Sequence, residues 1–238
     1  MKFKGHKVLV IGDTHDSPHI SQKRFDCIGK HIRKIKPDYI VHIGDFSSFD
    51  SLSFFQKNDS QQGKAFKILD KYVKDIPRHI CIGNHELRVH RFEENIPEIK
   101  GMMKETLYNT YDEFGWTHTE YGEFKNIAGV SFVHCPLNIM GKEYGGKNAE
   151  VQIGNDALHD LVFGHTHKAR DWKAVKIGYD KWVRIVNVGC SLPSGHIEEY
   201  AKLNMNGWSW CVTELGIWDN HIQETNFVSM DRLEREYG

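Results

Sequence analysis

Short β-branched apolar runs recur along the chain, and each gives way to glycine, an acid, an amide or an imidazole. They are KVLVIGDTH at 7–15, YIVHIGD at 39–45, HICIGNHE at 79–86, VSFVHC at 130–135, DLVFGHTH at 160–167 and VRIVNVGC at 183–190. Runs of this kind read as buried strands that end in functional loops. Between the first two, Ile28, Ile32 and Ile35 share one helical face, Lys30, Arg33, Lys34 and Lys36 take the other, and Pro37 ends the helix. Residues 64–76 repeat the pattern with Phe66, Leu69 and Val73 before Pro77, and residues 98–110 place Ile99, Met103 and Leu107 on one stripe. After residue 171, Trp, Val and Ile alternate with polar residues, which predicts antiparallel strands turning at Gly178-Tyr179-Asp180 and Asp219-Asn220. The polar, glycine-bearing stretches 51–63 and 140–155 read as mobile loops.

Length and charge narrow the picture. The 238 residues suit a single α/β domain spanning 1–238, and 31 basic against 32 acidic side chains give a net charge of -1. No global field therefore draws the chain to nucleic acid or to an anionic membrane, and any taste for polyanions must be local. The N-terminus enters a strand-like run too quickly for a signal peptide, and no apolar run approaches a membrane span. The 5 cysteines, at 27, 81, 135, 190 and 211, form no C-x-x-C pair, so neither a disulfide framework nor a zinc knuckle is expected and a reducing, cytoplasmic setting fits. Cys81 and Cys135 read as small buried apolar groups.

The 15 histidines change the picture most, because several stand at the ends of the apolar runs. Asp13 and His15 lie two residues apart after the first run, where an extended backbone would turn both to one side. Asp45 ends the second run, Asn84, His85 and Glu86 the third, His134 the fourth, and His165 and His167 the fifth. A two-metal hydrolytic centre needs hard oxygen ligands, imidazoles to complete each shell and one carboxylate between the ions. Asp-x-His or Gly-Asp is common alone, and Gly-Asn-His-Glu and Gly-His-Thr-His are much more specific; all of them, in order and each after a strand-like run, point to one site. The remaining histidines read as surface or hydrogen-bonded groups. Arg88 and Arg91, flanking His90, either grip a phosphate or open an exposed helix paired with Glu93 and Glu94. Lys142 and Lys147 suit solvation better than a lid, and the basic face of residues 23–36 suits a solvated helix side better than a track for a nucleic-acid backbone.

The order D-x-H, G-D, G-N-H-E, a lone H and G-H-x-H, followed by Asn187-x-Gly189-x-Ser191, resembles the calcineurin-like metallophosphoesterase superfamily over residues 7–191. The resemblance implies an α/β (α+β) fold, a four-layer α/β/β/α sandwich of two mixed β-sheets flanked by helices, with metals at the carboxyl ends of the strands. It implies Asp13, His15 and His167 as ligands of one metal, Asn84, His134 and His165 as ligands of the other, and Asp45 between them. His85 would contact the phosphate and protonate the leaving oxygen; beside it, Asn84 and, by the fit of guanidinium groups to phosphate rather than by the resemblance, Arg88 and Arg91 are candidate substrate contacts. The implied cofactors are two divalent ions, Mn2+ first, with Fe/Mn, Fe/Zn or Ni as alternatives.

The implied activity is hydrolysis of a phosphomonoester or phosphodiester by a hydroxide that two metals activate. A DNA or RNA nuclease is the alternative, against which the balanced charge argues mildly. A silent scaffold with this fold has no need of His85 or of the complete ligand set. Substrate choice falls to the walls at 46–63, 87–110 and 136–155, read as cap or loop insertions on the domain. One departure concerns the second motif, which protein phosphatases of the superfamily extend to G-D-x-x-D-R-G. Here residues 44–50 read GDFSSFD, so the arginine is absent, and Asp50 is left as an open candidate to orient His85.

Overall fold

Parallel pairing of the first apolar runs builds the larger sheet. In the computed structural model, which describes residues 5–49, 60–178, 181–198 and 207–238, the strands β1 (His6–Ile11), β2 (Tyr39–His42), β3 (Arg78–Cys81) and β4 (Thr117–Thr119) run parallel. β10 (Cys211–Trp218) and β11 (His221–Ser229) extend this sheet antiparallel beyond β1. The second sheet has the order β5 (Lys125–Ile127), β6 (Val130–Val133), β7 (Leu161–Phe163), β9 (Lys181–Val188), β8 (Ala169–Lys176), with a parallel centre and antiparallel edges.

Strand alternation divides the core into layers. Leu9 and Ile11 of β1 pack with α1 (Lys23–Ile35), α2 (Ser60–Val73), α4 (Met102–Glu113) and α6 (Met230–Tyr237), whereas Val8 and Val10 meet Val130, Phe132, Val162, Val186 and Val188 of the second sheet. The far face of that sheet carries α5 (Ala149–Asp156), whose Ala149 and Ile153 pack on Leu161, Phe163 and Ile185. The result is the four-layer α/β/β/α sandwich of two mixed sheets. α1 ends where Lys36 turns left-handed, φ 50°, ahead of Pro37, whose ring disfavours a helical residue before it. No helix of the described residues is long and apolar enough to cross a membrane. All 5 cysteines are buried and free.

Several expected elements are corrected. The stripe at 98–110 is broken: Pro97–Ile99 form a 3-10 turn, Gly101 is left-handed at φ 87°, and α4 starts at Met102, with Leu107 and Tyr111 as its buried positions. Residues 86–94 form α3 (Glu86–Glu94), and Glu93 is buried rather than paired at the surface. Its carboxylate accepts from the N–H groups of Met103 (2.9 Å) and Lys104 (3.2 Å), capping α4 where helical amides lack partners. Part of the stretch 140–155 read as loop is α5, and the C-terminal residues, read as strand-like, form α6 with Ser229 as its cap. Asp219 and Asn220 do turn β10 into β11, both with positive φ as a two-residue hairpin requires. Asp50, residues 51–59 and the tip at 179–180 lie outside the described residues.

Candidate metal centre

The strands β1, β2, β3, β6 and β7 end at one edge of the sandwich, and the residues that follow them converge there. Backbone hydrogen bonds lace the first two loops together: Thr14 and His15 donate to the Asp45 carbonyl (3.1 and 2.9 Å), Asp16 to that of Phe46 (2.7 Å), and Ser48 to that of Asp16 (3.1 Å). Side chains continue the lacing. The Gly44 amide donates to Nδ1 of His42 (3.2 Å), so this neutral, buried imidazole carries its proton on Nε2, 3.1 Å from Thr14 Oγ1, and Thr14 passes its own proton to the Phe46 carbonyl (2.8 Å). Buried Arg24 donates to the Thr14 carbonyl (3.1 Å) and to Asp16 Oδ1 (3.2 Å).

The backbone at the site is not extended. His15, Asp45, His165 and His167 have φ values of 42°, 48°, 66° and 58°. Non-glycine residues adopt this left-handed region at a cost of order 1–3 kcal/mol each, supplied here by the surrounding lacing. Period-two alternation is therefore not what gathers Asp13 with His15, or His165 with His167; tight left-handed turns are. Two glycines make room for the gathering. A Cβ on Gly83 would sit 2.1 Å from Asp45 Oδ1, and one on Gly164 would sit 2.6 Å from Asp13 Oδ1.

The predicted residues meet. His167 Nε2 lies 3.0 Å from Asp13 Oδ2 and 3.1 Å from His15 Nε2. Asn84 Oδ1 lies 2.9 Å from both His134 Nε2 and His165 Nδ1. Asp45 Oδ2 stands between the two groups, 3.4 Å from His134 Nε2, 3.9 Å from His15 Nε2 and 4.0 Å from His85 Nε2. Its other oxygen accepts from the His85 amide (2.8 Å), and Asp13 Oδ2 accepts from the His165 amide (3.0 Å). Among the described residues, the groupings able to hold a metal are Asp13, His15 and His167; His15, Asp45 and His85; and Asp45, His134 and His165. They share His15 and Asp45, so they form one centre.

Burial sets the electrostatics. Loss of water pushes the carboxyls of Asp13 and Asp45 up to about 6, and it lowers His167 to about 4 and His15 well below its ordinary value. His134 and His165 are lowered by the same cause. Asp13 Oδ1, His15 Nδ1 and His167 Nδ1 are buried without a hydrogen-bond partner. Acids and neutral imidazoles packed with lone pairs toward shared points fit hard or borderline divalent cations, which would supply the charge that burial otherwise opposes.

Beside this centre, His85 Nδ1 donates to the Ser48 carbonyl (2.6 Å), which also accepts from Arg88 Nη1 (3.0 Å). Arg88 Nη2 lies 3.1 Å from His85 Nε2; a guanidinium can only donate, so Nε2 is the accepting nitrogen. Arg91 is brought to no such position and is exposed on α3. The fully buried Glu86, noted in sequence only as part of a motif, accepts from the amides of Gly83 (2.8 Å), Asp45 (3.0 Å), Phe46 (2.8 Å) and Ser47 (3.3 Å). Burial, then nearby Asp45, raise its carboxyl to about 8. Three neighbours carried no sequence signal. Tyr121 stands with its ring 6.2 Å from that of His134, Trp208 lies edge-on to His167 at 4.2 Å, and Glu143 Oε2 is 3.6 Å from His165 Nε2.

Residues 6–169 match the family described as Calcineurin-like phosphoesterase. The Gene 54 protein of Mycobacterium phage D29 is 25% identical over 241 residues, 91% of this chain and 91% of that one. Of solved structures, Yfce, a phosphoesterase from E. coli, is similar with a TM-score of 0.45 and 14% identity, covering 94% of this chain and 100% of that chain. A conserved uncharacterized protein of Streptococcus pneumoniae TIGR4, described as a predicted phosphoesterase, has a TM-score of 0.44 and 12% identity over 96% of this chain and 91% of its own.

Proposed function

Because the chain belongs to the calcineurin-like phosphoesterase family, we propose that it hydrolyses a phosphomonoester or phosphodiester with a pair of divalent cations held at the strand ends. Asp13, His15 and His167 would hold one cation, Asn84, His134 and His165 the other, and Asp45 would serve both. When bound, such a pair would supply Lewis acidity, lowering the pKa of water toward neutrality and offsetting charge on the phosphate oxygens. The observation that carries this reading is Asp45, its Oδ2 flanked by His134 Nε2 at 3.4 Å and His15 Nε2 at 3.9 Å, with a ligand-bearing group on either side. Mn2+ is the first metal to try, with Fe/Mn, Fe/Zn and Ni next, because this mixed oxygen and nitrogen set does not discriminate by softness.

The protein's own groups do the rest. Asn84 and His85 contact the phosphate, and His85 delivers a proton to the leaving oxygen from Nε2, which takes up that proton as Arg88 leaves it for the phosphate while Nδ1 stays committed to Ser48. Arg88, held against His85 and the Ser48 carbonyl, offers the cationic grip on phosphate oxygens that the second motif lacks. Arg91, exposed one turn further along α3, is a weaker candidate for the same task. The test is turnover of an aryl phosphodiester and an aryl phosphomonoester by chelator-stripped protein with Mn2+ restored. Asp45→Asn should abolish turnover, and His85→Ala should lower kcat by roughly 10²- to 10⁴-fold. Undiminished turnover in both variants would contradict the proposal. An oligonucleotide in the same screen tests the nuclease alternative, whose binding should weaken steeply with salt.

A further inference from the structure

Each imidazole that ligates a metal through one nitrogen must keep its proton on the other, and an acceptor for that proton fixes both the tautomer and the ring. At His134 the acceptor is visible: Nδ1 lies 3.0 Å from the Ile43 carbonyl, which leaves the Nε2 lone pair for the centre. His165 is the reverse case. Its Nδ1 faces inward, 2.9 Å from Asn84 Oδ1, and its Nε2 faces outward, 3.6 Å from Glu143 Oε2.

Glu143 is there by construction. The loop after His134 is closed by an antiparallel bridge between Leu137 and Glu143, and the Asn138 amide donates to the Lys142 carbonyl (2.8 Å). Asn138 Oδ1 accepts from the amides of Met140 (2.9 Å) and Lys142 (3.0 Å), so the turn is tied across its width. Tyr121 donates its hydroxyl to Glu143 Oε1, which turns Oε2 toward His165.

We propose that Glu143, oriented by Tyr121, is a positioning residue for the second cation site: it takes the Nε2 proton of His165 in a hydrogen bond and so presents the Nδ1 lone pair alongside Asn84 and His134. The inference rests on the two-cation reading above. At 3.6 Å the two atoms stand just beyond hydrogen-bond reach, and the Glu143 side chain, 46% exposed, is not locked by packing at that distance. The loop thus contributes an acid to the centre.

The experiment is Mn2+ titration by calorimetry of wild type, Glu143→Gln, Glu143→Ala and Tyr121→Phe. It is paired with 15N spectra of the His165 ring in Zn2+-loaded protein. Removal of an outer partner of this kind costs roughly 10- to 100-fold in metal affinity. Glu143→Ala should therefore weaken one of two binding steps by roughly that factor and leave the other unchanged. Glu143→Gln, which keeps an acceptor oxygen, should recover most of the loss, and Tyr121→Phe should fall between. The wild-type ring should show a protonated Nε2. Two unaltered binding steps in Glu143→Ala, or a ring protonated at Nδ1, overturn the inference while leaving the cation pair standing. A wild-type chain that binds no Mn2+ overturns both.

Discussion

At the scale of the residue, the most informative side chain is one whose role the sequence did not disclose. Glu86 could be read as a motif member, but its task depends on amides from a loop some forty positions earlier, which no local pattern reports. Glu86→Ala strands the N–H groups of Gly83, Asp45, Phe46 and Ser47, each costing about 1–3 kcal/mol if left unpaired. Water entering the gap will satisfy some of them, so a net loss of about 3 kcal/mol is expected in urea unfolding of the metal-free protein. An unchanged midpoint would contradict the role assigned to this carboxylate. Gly83→Ala should act on the site and the fold together. Its methyl would sit 2.1 Å from Asp45 Oδ1 and 2.3 Å from the Asp45 backbone nitrogen, so both Mn2+ affinity, by at least tenfold, and the melting temperature should drop.

At the scale of the element, legibility followed pattern. α1 was plain because its apolar positions repeat with a single period and Pro37 marks its end, and β2, β3, β6 and β7 were plain at three or four residues because each lies in a β-branched run that gives way to glycine or histidine. α3 was legible only as one of two readings of Arg88 and Arg91, and β4, β5 and α5 carry no such run and are too short to show a period. α6 was missed for the same reason, with Met230 and Leu233 as its buried positions. Asp160 is a further element-level device without a local signature. Buried just before β7, it accepts from the Arg184 amide of β9 (2.8 Å) and the Ile222 amide of β11 (2.8 Å), fastening one sheet to the other. Asp160→Ala should cost about 3 kcal/mol, and amide exchange should quicken at both strands together; exchange at only one would refute the idea of a clasp.

The junction of β3 and β4 supplies a pH test. His79 is buried, with Nδ1 2.8 Å from Thr117 Oγ1 and Nε2 3.2 Å from Thr119 Oγ1; Thr117 gives its proton to the Arg78 carbonyl, so Nδ1 is the donor. Burial lowers this imidazole from 6.5 to about 3. The unfolded chain therefore binds a proton that the folded chain refuses between those values. The contribution to stability is complete above pH 6.5 and drains away as pH falls toward 3. His79→Gln should make the acid side of the stability curve shallower by about one proton, or about 1.4 kcal/mol per pH unit. Identical slopes for the two proteins between pH 6 and about 4 would contradict a neutral, buried His79.

At the scale of the molecule, the order of the motifs was readable because strands of this fold deliver their loops to one edge, so residues far apart in sequence meet there. What could not be read was the left-handed backbone at His15, Asp45, His165 and His167, nor the loop that brings Glu143 to His165, since both depend on lacing from distant segments. The whole chain also carries the cost of burying acids and imidazoles side by side. Cation binding should therefore raise global stability, by about 2.7 kcal/mol when free Mn2+ stands at a hundred times its dissociation constant. That gain should vanish in Asp45→Asn; a melting temperature indifferent to Mn2+ in the wild type would argue that no cation is held.

The central claim is that one carboxylate, Asp45, lies between two cation sites. Anomalous diffraction from crystals grown with Mn2+, recorded at the manganese edge, addresses it most directly. The account predicts two peaks, one among Asp13, His15 and His167, the other among Asn84, His134 and His165, with Asp45 Oδ2 in contact with both. An empty map at this edge of the sandwich, or manganese bound only elsewhere on the chain, would contradict it.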